Sequence, residues 1–245
     1  VEHVIVNLCP TEPWALPNWV ILRHKTTAFL SVLKEIKNSH FSSARFYIAI
    51  NEKEDRTVAD AKNFACNEDW MSVFPLYAKY PQDDPVILTK VILGMDVHFG
   101  QDTESLGVLI LDAQTVSSIY ESCILRKNVN SRFIVLSGTG LKENEILNVQ
   151  LGTSIGKILK NKSKEVGRYR VFINGPLRGQ EITDLSQKTD WSINHIVVLE
   201  EKDRKVILPM IKPDELVLTT NVLGELRRCV SCNFCDDICP VDLEP

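Results

Sequence analysis

From His3 to Leu125 the chain alternates short apolar runs with amphipathic stretches four times, and this alternation narrows its possible folds more than any other feature. The runs HVIVNL (3–8), ARFYIAI (44–50), SVFPLYAKY (72–80) and GVLIL (107–111) have the length and content of strands. Pro75 weakens the third. KTTAFLSVLKEIKN (25–38) puts Phe29, Val32, Leu33 and Ile36 on one helical face, and DRTVADAKNFA (55–65) does the same with Val58, Ala61 and Ala65. DDPVILTKVILG (83–94) offers Asp84 as N-cap, Pro85 at the first helical position and Gly94 as a stop. AQTVSSIYESCIL (113–125) reads as a fourth helix. The unbroken apolar run GVLIL predicts a strand buried on both faces. Together these predict an α/β domain, a mostly parallel sheet with helices on both sides. Ligands of such sheets sit at the carboxyl ends of the strands. The loops NLCPTEPWALPN (7–18) and LDAQT (111–115) fall there. Asp112 could meet a ligand in that position, but capping the helix that follows is the preferred role.

From about Ser131 the pattern changes. RFIVLSG (132–138) and EILNVQLG (145–152) read as a strand pair, TSIGKILKN (153–161) as a short helix capped by Thr153, and RYRVFING (168–175) as another strand. The order β-β-α-β over some 45 residues predicts a small grasp-like domain. INGPLRGQ (173–180) is a tight glycine-rich turn. A phosphate could be cradled by its backbone N–H groups, but a structural hairpin is the preferred reading. INHIVVLEE (193–201) and RKVILPM (204–210) read as strands, and DELVLTTNVLGELRR (214–228) as a helix. The five histidines share no metal-like spacing, and His195 opens an apolar strand as a core residue would.

Four of the seven cysteines crowd into RRCVSCNFCDDICPVDLEP (227–245) as C-x2-C-x2-C-x3-C-P: Cys229, Cys232, Cys235 and Cys239. Gaps of two residues let thiolates converge on one compact inorganic core. The run is that of bacterial ferredoxins, whose fourth cysteine serves the other cluster in two-cluster proteins. Zinc is the alternative, although zinc sites usually pair two separate CxxC knuckles and here the knuckles overlap on Cys232. The scattered Cys9, Cys66 and Cys123 read as buried free thiols, which predicts a reducing compartment rather than a disulfide framework. A net charge of -4 and a pI near 5.8 argue against nucleic-acid binding. No apolar run approaches the ~18 residues of a membrane span, so any membrane association is expected to come through a partner. Val1 falls directly into a strand-like run, so the 245 residues are expected to be a piece of a longer polypeptide.

Several stretches, taken in order, resemble the C subunit of Rnf electron-transport complexes: YPQDDPVILTKVILGMDV (80–97), LGVLILDAQTVSSIYES (106–122), FIVLSGTGLKENEILNVQLGTSIGKIL (133–159), INGPLRGQ and the cysteine run. VILPMIKPDELVLTTNVLGELR (206–227) is similar to the A subunit of sodium-pumping NADH–quinone reductase, and the flavin-binding subunit of respiratory complex I is a fainter likeness. The resemblance implies a Rossmann-like domain over 1–130, a soluble-ligand-binding β-grasp domain over 131–185, a β/α connection over 186–223 and a ferredoxin-type iron–sulfur segment over 224–245. It implies an electron-transfer subunit, peripheral on the cytoplasmic face of the membrane and docked on the other subunits of an ion-translocating complex. The implied cofactors are a [4Fe–4S] cluster on the four cysteines, with FMN and NADH upstream. A hydride carries two electrons and a cluster accepts one, so a flavin stands between them. Asn7 and Glu12 match the family's Asn-x-x-Glu-x-Glu-Pro loop and are the implied cofactor-binding residues. Pro10 replaces the loop's first acid, NWV (18–20) stands where the family has Asp-Asp-Arg, and Asp83 replaces the glycine after Gln82. A scaffold subunit with a vestigial nucleotide site is the alternative these departures imply.

Overall fold

The computed structural model describes residues 1–9, 11–14, 26–77, 79–164 and 169–200. The chain divides into two compact units. The first takes in Val1–Thr11 and the elements up to Val129, and the second begins at Asn130 and also includes 12–14.

The first unit is built on four strands, β1 (His3–Leu8), β2 (Arg45–Asn51), β3 (Met71–Leu76) and β4 (Val108–Asp112), in the order β3-β2-β1-β4 with every neighbouring pair parallel. Alternate residues of a strand point to opposite faces. Accordingly Val4, Val6 and Leu8 of β1 join Phe46, Ile48 and Ile50 of β2 beneath α1 (Thr26–His40), α2 (Asp55–Ala65) and α4 (Ala113–Ile119). Ile5 and Ala49 face the other way, onto Leu88 and Ile92 of α3 (Pro85–Leu93). Phe29, Leu33 and Ile36 of α1 are all buried, on the face that the helical period defines.

Helix α3 begins and ends on the expected residues. The Asp84 carboxylate accepts from the Val86 N–H at 2.9 Å, Pro85 fills the first position, and Gly94 closes the last turn in the left-handed region. Asp112 caps α4 by accepting from the Thr115 N–H at 2.6 Å. Three details depart from expectation. Strand β3 stops at Leu76 rather than Tyr80; it is an edge strand among those described, which is where Pro75 is tolerated. Strand β4 is the other margin, so Leu109 and Ile110 are half-buried rather than enclosed on both faces. Helix α4 is α-helical only to Ile119 and passes into a π-turn over Tyr120–Ile124, closed by the Leu125 N–H on the Tyr120 carbonyl.

The second unit is a mixed sheet of β5 (Ser131–Ser137), β6 (Glu145–Gln150), β7 (Tyr169–Ile173), β8 (Gln180–Ile182) and β9 (His195–Glu200), ordered β6-β5-β9-β7-β8. The pair β5–β9 is parallel and the rest are antiparallel. The sheet takes its central strand from β9, beyond the boundary at residue 185 expected from the sequence. Helix α5 (Ile155–Leu159) seats Ile155, Ile158 and Leu159 on Ile134, Leu136, Val171, Ile173, Ile196 and Val198. Ser154, not Thr153, occupies its N-cap position and makes no side-chain cap bond. The Thr153 hydroxyl donates instead to the Gln150 carbonyl at 2.7 Å. His195 is buried, as a core histidine should be.

Replacing Asp84 with alanine leaves the α3 N-terminus without its side-chain acceptor. The expected cost is about 1 kcal/mol of unfolding free energy, read as a lower urea midpoint at unchanged slope.

Candidate functional site

In the first unit, strand order reverses at β1, which has β2 on one side and β4 on the other. In open α/β sheets the carboxyl edge at such a point is where ligands bind. Asn7 of β1 and Asp112 of β4 stand opposite each other there in register. The Asn7 amide is already engaged: Nδ2 donates to the Asp83 carbonyl at 3.2 Å, and Oδ1 accepts from the Cys9 N–H at 3.0 Å. The Thr11 hydroxyl donates to the Asp83 carboxylate. Asn7 and Thr11 thus tie the end of β1 to the loop that leads into α3. Next to Asp83, the Nε2 of Gln82 is a buried donor without a hydrogen-bond partner.

Cys9 is fully buried at this edge. Burial, and then the Asp83 and Glu52 carboxylates, push its thiol up from the ordinary 9.0 to about 11. It is therefore a neutral, unreactive thiol at physiological pH. The other two scattered cysteines differ from expectation. Cys66 and Cys123 are exposed, because Cys66 lies just past the end of α2 and Cys123 in the π-turn.

Glu12 belongs to the second unit, where it lies against the turn between β7 and β8. Its Oε1 accepts from the Leu177 N–H at 2.6 Å and from the Arg178 N–H at 3.3 Å. The Arg178 guanidinium Nε stands 3.7 Å from Oε2, which has no hydrogen-bond partner of its own. Only 6% of Glu12 is exposed. The glycine-rich turn is a hairpin, since β7 and β8 pair antiparallel across it, and its N–H groups also hold an anion supplied by the chain itself. Sequence reasoning singled out both Glu12 and this turn but did not join them. Nothing local signals a contact across 165 positions.

Both side chains that the resemblance implied for FMN and NADH are thus engaged inside their own units. The edge of the first unit is furnished with the carboxylates of Asp83, Asp84 and Asp112, whereas phosphate sites use N–H groups and cations. Cys229, Cys232, Cys235 and Cys239 lie outside the described residues. Among the described residues no three His, Cys, Asp or Glu side chains group as a metal site, and no helix is long and apolar enough to cross a membrane.

Curated homologues over the full chain are C subunits of ion-translocating oxidoreductase complexes, at low identity. One, from Haemophilus influenzae (strain PittEE), is 23% identical over 246 residues, covering 100% of this chain and 35% of the relative. Another, from Buchnera aphidicola, is 23% identical over 99% of this chain and 48% of its own length. The C subunit of an Acetobacterium woodii complex named Na(+)-translocating ferredoxin:NAD(+) oxidoreductase is 23% identical over 100% of this chain and 52% of its own length. The chain therefore spans about a third to a half of these relatives. No family model matches it. Among solved structures, an air-oxidised NAD+-reducing [NiFe]-hydrogenase superposes with a TM-score of 0.62 at 12% identity, over 82% of this chain and 40% of that one. That likeness establishes a shared fold.

The thiol environments set an order of reactivity. Iodoacetamide added to the native protein at mildly alkaline pH is expected to label Cys66 and Cys123 and to spare Cys9 until the chain unfolds, as peptide mass spectrometry would show. Because the folded-state value of Cys9 lies above the unfolded one, its contribution to stability is whole below pH 9.0 and is lost as pH climbs toward about 11. Alkaline unfolding curves of the wild type and of Cys9→Ala should converge across that window.

Proposed function

We propose that this chain is the electron-transferring part of a C-type subunit of an Rnf- or Nqr-like ion-translocating oxidoreductase complex. It sits peripherally on the cytoplasmic face of the membrane and docks on the other subunits. The observation that carries this reading is the match to C subunits over the whole chain, ending in the ferredoxin-type cysteine run. The first unit is read as the Rossmann-like domain. The second is read as a β-grasp domain running through β9. The sheet order β6-β5-β9-β7-β8, with the helix α5 between the second and third strands in sequence, supports that assignment.

The donor set suits a [4Fe–4S] cluster: three thiolates at two-residue gaps, Cys229, Cys232 and Cys235, with Cys239 either completing the set or serving a second cluster. When bound, such a cluster supplies one-electron storage and transfer. Arg227, Arg228, Asp236 and Asp237 flank or interrupt the run, and nearby charge is a lever on cluster potential. Asn7 and Glu12 are assigned positioning roles, since their polar atoms already hold the loop before α3 and the turn before β8. No step is assigned to flavin or nicotinamide through either side chain.

A second reading, a scaffold subunit with a vestigial nucleotide site, is favoured by Asp83. Its carboxylate is tied to Thr11 at the edge where a nucleotide phosphate would lie. Titrating FMN against the protein separates the two: quenched flavin fluorescence supports a working flavin site, and unquenched fluorescence supports the scaffold.

Cys232→Ser tests the cluster assignment. After anaerobic reconstitution the variant is expected to lose most of its iron and its visible charge-transfer absorbance relative to wild type. Wild-type iron in the variant, or zinc bound by the intact chain in place of iron, defeats the assignment.

A further inference from the structure

The turn between β7 and β8 has the furnishings of an anion site. Asn174 and Gly175 are successive residues in the left-handed region, with φ of 60° and 101°. Successive N–H groups in turns of this kind form concavities that bind anions. Here Leu177 and Arg178 present their N–H groups to one oxygen, and the Arg178 guanidinium lies near the other. Gly175 is required twice over: by its positive φ, and because a Cβ there would land on the Glu12 side chain. Asn174 braces the turn from behind. Its Oδ1 accepts from the Asn194 N–H at 2.8 Å, and its Nδ2 donates to the Ser192 carbonyl at 2.8 Å. Beside Glu12, Trp14 packs on Phe172, Val197 and Leu199, and its carbonyl accepts from the Ser137 hydroxyl at 2.9 Å.

We propose that the turn over residues 174–179 is a carboxylate-binding site whose resident ligand is the side chain of Glu12, making Glu12 the positioning residue that holds 12–14 on the second unit. The chemistry is that of a carboxylate taken from water and matched by two N–H donors and one cation. Hydrogen bonds to a charged group are about twice as strong as neutral ones. Deleting the Glu12 side chain vacates the volume its carboxylate fills against the Leu177 and Arg178 N–H groups and the Arg178 guanidinium, and a small free carboxylate offers the same two oxygens to them.

Glu12→Gly in the 245-residue chain is the test, with sodium formate and acetate as probes against sodium chloride at matched ionic strength. The variant is expected to unfold at a Tm lower by about 5 °C. Formate or acetate should restore it saturably, with no such effect on wild type, whose site is filled. Hydrogen exchange of the Leu177 and Arg178 amides should quicken in the variant and slow again with formate. A variant that responds to formate no differently from chloride overturns the proposal. If Glu12→Gly does not fold, Glu12→Gln carries the test. Faster exchange at Leu177 and Arg178 supports selection for an anion, and wild-type exchange there overturns it. None of these readouts involves iron or flavin, so their outcome is independent of the electron-transfer reading.

Discussion

The first unit depends on burying both faces of β1. A strand with neighbours on each side and helices above and below must bury its apolar side chains on both faces, and its backbone polar groups must be satisfied by β2 and β4. Val4, Val6 and Leu8 on one face and Ile5 on the other meet the first demand. The parallel registers with β2 and β4 meet the second. With β1 fixed, the end of the strand is fixed too, and so are Asn7 and Cys9. The edge where a ligand would be expected is then occupied by the protein's own ties from Asn7 and Thr11 to Asp83. Cys9 sits under those ties as a neutral group, since a thiolate would have to be formed in the dry interior beside Asp83.

The second unit solves a different problem. Its sheet is small and mixed, and α5 covers one face with only five residues. Part of the opposite face, at Phe172, Val197 and Leu199, is packed by Trp14 from a distant part of the chain. An aromatic ring buries enough area to matter to so small a domain. The Glu12 carboxylate, bonded to the turn before β8, holds that ring's segment in place.

What the sequence disclosed follows the range of the forces involved. Caps are local, and Asp84, Pro85, Gly94 and Asp112 could be read from a few neighbouring residues. Helical faces repeat within a few turns, so the buried side of α1 was equally plain. The strand 193–201 was legible as a strand, but not as the centre of a sheet, because its partners β5 and β7 are set by pairing that no local pattern records. The exposure of Cys66 and Cys123 depended on where helices end, and boundaries are the weakest part of any periodic signal. Asn7 and Glu12 were found through resemblance. Their partners, the carbonyl of Asp83 and the N–H groups of Leu177 and Arg178, lie 76 and 165 or more positions away. The cysteine run was clear from spacing alone and lies outside the described residues.

The placement of 12–14 bears on how this polypeptide acquires its shape. These residues stand in sequence between β1 and α1, yet they complete the unit whose strands begin at Ser131. Among the described residues, Phe172, Val197 and Leu199 of the second unit are packed by a segment made long before them, across a separation of well over a hundred residues. Contacts across that separation cost more loop-closure entropy than those within a helix or a hairpin and raise the contact order of the unit. The β7–β8 hairpin can assemble early, with its amides facing water. Seating the carboxylate and the indole joins the opening of the chain to a domain begun more than a hundred residues later.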